Sequence, residues 1–85
     1  MTKIKKLLLK FLSDPKDLTW NELISILMYH GFKEIKKKGK TGGSRVKFTD
    51  ADGNIINLHK PHPGNIVKQY VIKQIIEKLK LWQII

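Results

Sequence analysis

The chain has no cysteine, little negative charge and no long apolar run. Without cysteine there are neither disulfides nor thiolate metal ligands, which fits a reducing compartment. Seven Asp and Glu stand against 17 Lys and Arg, a formal net charge of +10 over 85 residues. So large a surplus on so short a chain attracts polyanions, and nucleic acid and anionic membrane are the two obvious ones. No apolar stretch is long enough to cross a bilayer. Residues 1–12 mix basic and apolar residues as a signal peptide does. The basic residues continue through Lys10, however, and Ser13-Asp14-Pro15-Lys16 is no small-residue cleavage site. The expected location is therefore the cytoplasm. A chain of this length makes one domain, residues 1–85, with one modest core. No repeat or flexible linker divides it.

What is present reads as alternating periodicities. Ile4, Leu7, Leu8, Phe11 and Leu12 recur at helical spacing, so residues 3–13 form an amphipathic helix with Lys3, Lys5, Lys6 and Lys10 on its wet side. Asp14-Pro15 ends it, because the residue before a proline is pushed away from helical geometry. Thr19 and Glu22 then form a capping box, flanked by Leu18 and Leu23 at the positions of a hydrophobic staple. Trp20, Leu23, Ile24, Leu27 and Met28 share one face of a helix over residues 20–30, and Gly31 stands where a left-handed cap belongs. After Gly31 the period changes. Residues 32–37 are a short strand, and 38–43, with three glycines, a loop. Residues 45–49 alternate Val46 and Phe48 against Arg45, Lys47 and Thr49. Asp50-Ala51-Asp52-Gly53 is turn chemistry leading into a third strand over 54–59. The two prolines in residues 61–64 make that segment a loop. Val71, Ile72, Ile75, Ile76 and Leu79 mark a last helix starting near Lys68, followed by an apolar tail of Trp82, Ile84 and Ile85. The order α-α-β-β-β-α predicts a two-layer α+β domain, with a three-stranded antiparallel sheet covered by helices on one face and open on the other.

Three features bear on function. Lys33, Lys36, Lys37, Lys38, Lys40, Arg45 and Lys47 crowd one stretch with only Glu34 opposed, and glycines between them let backbone amides approach a phosphate. The competing reading is a solvated edge strand guarded by lysines. His59 and His62 flank a rigid loop and are candidates for general acid, general base or metal ligand, against the plainer reading of ordinary polar loop residues. Asp50 and Asp52 are explained by the turn, which leaves little for a metal site. His30 fits the last turn of its helix, where a cation suits the dipole. The basic first helix fits either a membrane surface or packing on the domain or a partner, of which packing is the commoner.

These segments in this order resemble the HicA toxins. The shared pattern is Gly31-Phe32, the basic Lys36-Lys37-Lys38-Gly39, Gly43-Ser44-Arg45-Val46, Asp52-Gly53 and His62-Pro63-Gly64. The resemblance covers residues 19–80 as a core, with residues 1–13 as an N-terminal extension. It implies a double-stranded-RNA-binding-like fold, an RNA-cleaving toxin (an mRNA interferase, needing no cofactor) and a HicB-type antitoxin that masks it. In the family pattern the catalytic histidine falls where this chain has Val46. Val cannot move protons, so His59 and His62 become the catalytic candidates. Lys36, Lys37, Lys38, Lys40, Ser44, Arg45, Lys47 and Lys60 are the candidates for holding RNA. The alternative is a non-catalytic double-stranded RNA-binding module of the same fold.

Overall fold

The computed structural model of the chain describes residues 3–35, 45–61 and 64–85. Its elements are α1 (Lys3–Leu12), α2 (Trp20–Tyr29), β1 (Lys33–Ile35), β2 (Arg45–Thr49), β3 (Ile55–His59) and α3 (Gln69–Leu81). The sheet is an antiparallel meander in the order β1-β2-β3. The helices lie on one face, so the architecture is the α+β one that the periodicities imply.

The core takes its residues from every layer. Phe11 of α1, Trp20, Leu23, Ile26 and Leu27 of α2, Phe48, Ile56 and Leu58 of the sheet, and Ile72, Ile75 and Leu79 of α3 are buried together. Burying an apolar side chain of this size contributes about 1.5–3 kcal/mol. The helical stripes are what lets a three-stranded sheet exist, since alone it would leave an apolar face wet.

Local chemistry sets where each element stops. At the start of α2, the Glu22 amide donates to Thr19 Oγ1 at 3.2 Å and the Thr19 amide to Glu22 Oε1 at 2.9 Å, completing the capping box. The Glu22 carboxylate also takes Lys10 Nζ of α1 at 3.2 Å, so one acid caps α2 and anchors α1. The Thr19 hydrogen bond, with burial working against it and Lys10 adding to it, holds the Glu22 carboxyl below its usual range. The far end of α2 closes in a Schellman motif. The Phe32 amide donates to the Leu27 carbonyl at 2.9 Å and the Gly31 amide to Met28 at 3.0 Å, with Gly31 at φ +89°. The helix therefore ends at Tyr29, a residue short of expectation, and His30 becomes its cap.

The end of α3 repeats the device without a glycine. Ile84 N donates to Leu79 O at 2.8 Å and Gln83 N to Lys80 O at 3.0 Å, with Gln83 in the left-handed region at φ +58°. The expected apolar tail is thus a folded cap that sets Trp82 against Phe32, ring centroids 6.3 Å apart. The starts of α2 and α3 are also joined, by Trp20 N to Asn65 O at 2.7 Å and Val67 N to Leu18 O at 2.8 Å. The two helices begin together and end together.

Other boundaries shift for equally local reasons. Asp14 sits at φ +61°, and α1 stops at Leu12, with the Ser13 hydroxyl on the Lys10 carbonyl at 2.7 Å. In the hairpin, Asp50 Oδ1 accepts from the Asp52 amide at 3.1 Å and the Asn54 amide at 2.9 Å, while Asn54 Nδ2 donates to Asp50 Oδ2 at 3.0 Å. Asn54 is consumed by the turn, and β3 begins at Ile55. Phe32 is buried beneath the helices, so β1 starts at Lys33.

Candidate nucleic-acid interface

Strand alternation sorts the sheet into two unlike faces. Val46 pairs with Leu58 and Phe48 with Ile56, and all four point toward the helices. The other set pairs Arg45 with His59, Lys47 with Asn57 and Thr49 with Ile55, while β1 adds Ile35 beside Lys47 and Lys33 beside Thr49. No described helix covers this second face. Its side chains form rows two residues apart along each strand, roughly 7 Å. One row is Arg45 and His59, the next Ile35, Lys47 and Asn57, the last Lys33, Thr49 and Ile55.

The charge on the open face is of one sign. Lys33, Arg45 and Lys47 are its ionic side chains, and among the described residues no carboxylate shares it. Glu34, the acid within β1, pairs with Phe48 and so falls on the other side, at the sheet edge. Asp50 and Asp52 lie in the turn beyond the last row. Burial works to raise the Asp50 carboxyl, but the Asn54 and Asp52 hydrogen bonds outweigh it and hold Asp50 ionised below its usual range. The face is thus basic from the Arg45 row to the Lys33 row, and the acids lie beyond it, in the turn.

The cations here are also unengaged. Within the described residues, Lys33, Arg45, Lys47, His59 and Lys60 make no side-chain hydrogen bond or ion pair. Lys10 and Lys73, by contrast, are held by Asp17 and Glu22 and by Asp14. Cations left without an ion-pair partner among the described residues, presented side by side from paired strands, are an arrangement that phosphates can take up.

Of the residues that the sequence singled out, Arg45, Lys47 and His59 come together on this face, and the exposed Lys60 follows directly after β3. Lys36, Lys37, Lys38, Lys40, Ser44 and His62 lie outside the described residues. Val46 is half-buried against the core, so the position at which the family pattern puts its histidine faces inward. Two members of the face, Lys33 and Asn57, were not among the expected RNA contacts. The strict alternation of β3 is the signal that would have found Asn57.

His30 needs a different account from the dipole argument. Desolvation pushes its imidazole below the ordinary histidine range, and Nε2 is buried with no hydrogen-bond partner among the described residues. The neutral ring is favoured, packed edge-on to Tyr29 at 5.3 Å. Among the described residues, no cluster of three or more His, Asp or Glu could hold a metal ion, and no helix is long and apolar enough to cross a membrane.

A protein-family model described as HicA toxin of bacterial toxin-antitoxin matches residues 20–81. That span opens on the first residue of α2 and closes on the last of α3, leaving α1 outside it. Comparison with curated proteins and with solved structures gave no match.

Proposed function

This chain belongs to the HicA toxin family of bacterial toxin–antitoxin systems, and on that premise we propose that it binds RNA on the open face of its sheet and acts as an mRNA interferase, an endoribonuclease of a type II system. The observation that carries this reading is the cross-strand pair of Arg45 and His59 on an open sheet face that holds no carboxylate among the described residues. Directly opposed residues have Cβ atoms about 5 Å apart, so a phosphate held by the guanidinium lies within reach of the imidazole.

The chemistry is transfer to the ribose. His59 takes the proton of a 2′-hydroxyl, the 2′-oxygen bonds to phosphorus, and the bond to the 5′-oxygen breaks as an acid returns a proton to it. His62, three residues beyond the end of β3 in the sequence, is the candidate acid. Arg45 and Lys47 stabilise the charge that builds on the phosphoryl oxygens. Lys60 and the lysines at 36, 37, 38 and 40, together with Ser44, extend the phosphate contacts. The protein is read as cytoplasmic, with a HicB-type antitoxin as the partner that the family implies.

A second reading keeps the binding and drops the cleavage: a non-catalytic double-stranded RNA-binding module. It is favoured by Val46, an inward-facing apolar residue at the family's histidine position. One assay separates the two. Purified protein is incubated with RNA in the presence of a chelator, alongside the His59→Ala, His62→Ala double variant. Cleavage by the parent with none by a folded, RNA-binding double variant supports the interferase. Cleavage at the parent rate by the variant removes both histidines from the mechanism. Binding without cleavage by the parent supports the module.

A further inference from the structure

The two edges of the sheet are unlike. The β1 edge is three residues long and carries Lys33 and Glu34, charges of the kind that keep a foreign strand away. The β3 edge, Ile55–His59, is five residues long, with no lysine, carboxylate or proline, and its register with β2 is unbroken. The hairpin fixes which backbone groups this edge offers. The Asp50 amide donates to the Asn54 carbonyl at 3.2 Å, so Asp50 and Asn54 are a hydrogen-bonded pair. Such pairs alternate along an antiparallel ladder, so Phe48–Ile56 and Val46–Leu58 are the next of them. The N–H and C=O groups of Ile55, Asn57 and His59 therefore point outward, away from β2. No described segment takes them up. A row of unpaired backbone groups on an unguarded strand is a template for another strand.

The strand that fits this edge is β3 itself. Turned antiparallel about a twofold axis at Asn57, two copies set Asn57 opposite Asn57 and Ile55 opposite His59. The outward residues of both copies then form hydrogen-bonded pairs, each exchanging both of its backbone bonds. No like charges come into register, and the two Asn57 side-chain amides can hydrogen-bond each other. The ends match as well. Lys60 of each copy falls opposite Asn54 of the other, beside the turn that holds Asp50 and Asp52. The basic end of one strand meets the acidic end of the other, a local attraction between chains that each carry a formal +10. We propose that the chain forms a symmetric dimer through β3, joining the two sheets into one continuous sheet. The twofold axis is perpendicular to that sheet, so both open faces lie on the same side. Each His59 then has Ile55 of the second copy beside it, and the second copy completes the surroundings of the Arg45–His59 pair.

Introduced cysteines test this cleanly, because the chain has none of its own. In the dimer the two Asn57 Cα atoms lie about 5.5 Å apart, within disulfide range. The two Lys47 residues, one strand further in on each side, lie about 14 Å apart, out of range. Under a mild thiol oxidant, Asn57→Cys is expected to give a disulfide-linked dimer, and Lys47→Cys, on the same face, to stay unlinked. The full-length parent should sediment at twice its chain mass of 9.9 kDa. The salt is set at about 0.15 M, which screens long-range repulsion but not charges in contact. Asn57→Lys and Asn57→Glu, each checked for folding by circular dichroism, should sediment as monomers, since like charges then meet at the axis. Mixed in equal amounts, the two should dimerise again. A parent that stays monomeric at every concentration overturns the proposal and leaves the edge to a strand of another protein. Equal cross-linking of the two cysteine variants, or none in Asn57→Cys, also overturns it. So does a dimer that persists in both folded charge variants, which places the contact elsewhere. Should a charge variant fail to fold, the cysteine pair decides alone.

Discussion

The two faces of the sheet are built from the same two strands, residue by residue in alternation, yet they answer to different rules. Toward the helices, Val46, Phe48, Ile56 and Leu58 are held by packing density, and their identity is constrained by volume. Away from them, the side chains of Arg45, Lys47, Asn57 and His59 make no hydrogen bond or ion pair among the described residues, and no packing constraint fixes their identity. Stability is carried by the first set and the candidate chemistry by the second. A one-residue change of register would exchange the two sets entirely, which is why the closed Asp50–Asn54 turn, pinning that register, matters to function as well as to folding.

The largest expected contrast comes from neighbours on β2. Phe48→Ala should destabilise the domain by about 3–5 kcal/mol, because a fully buried ring leaves a cavity. Lys47→Ala, one position away, should change stability by no more than about 0.5 kcal/mol while weakening RNA binding and reducing its salt slope by about one. Urea denaturation and salt-dependent titration of both variants check the pair. Equal losses of stability would break the division between the faces.

A smaller effect is expected where the division is crossed. Val46→His puts an imidazole on the inward side, against Leu58 and the core. We expect a loss of about 1–3 kcal/mol from the poorly satisfied polar ring, and no gain in RNA cleavage, since the new group faces away from the open surface. Arg45→His, at the outward position beside His59, should leave stability nearly unchanged. If the first variant, still folded, cleaves RNA faster than its parent, the inward assignment of position 46 fails.

The smallest effect concerns pH. The folded state holds His30 below its ordinary range by desolvation, so the unfolded chain binds its proton first as pH falls. The stability that the neutral ring contributes is therefore present above about pH 6.5 and is lost progressively below it. Glu22 and Asp50, also held low, add a separate loss only deeper in acid, in the carboxylate range. Thermal melts between neutral and mildly acidic pH should show Tm falling, and His30→Gln should flatten that slope without touching the sheet's open face. An unchanged slope in the variant would remove His30 as the cause.

Most of the fold was legible because its signals are local. The capping box at Thr19 and Glu22, the glycine at 31, the Asp-Gly turn and the alternation of β2 and β3 each act within a few residues, and the structure carries them all. What was not legible depended on distant partners. Lys10 was read as one of several solvated lysines, but Glu22, twelve residues on, holds it. His30 was read from its helix alone, whereas its protonation follows from what buries it. The tail at Trp82 looked merely apolar until its contact with Phe32 gave it a place. The candidate site divides the same way. The basic character, Lys33 included, and the histidines were plain in the sequence, but Asn57 joined them only through strand pairing.

The sequence by itself determined the kinds of element, their order, the surplus of cations and the absence of a carboxylate between Lys36 and Thr49, because composition and short-range periodicity are properties of neighbouring residues. Only the tertiary structure decided which lysines are paired with a carboxylate, Lys10 with Glu22 and Asp17 and Lys73 with Asp14. It also decided that Arg45 meets His59, and that position 46 is turned from the open face. Those facts depend on which strand lies beside which and on which face the helices cover, and both are settled by burial of the core as a whole.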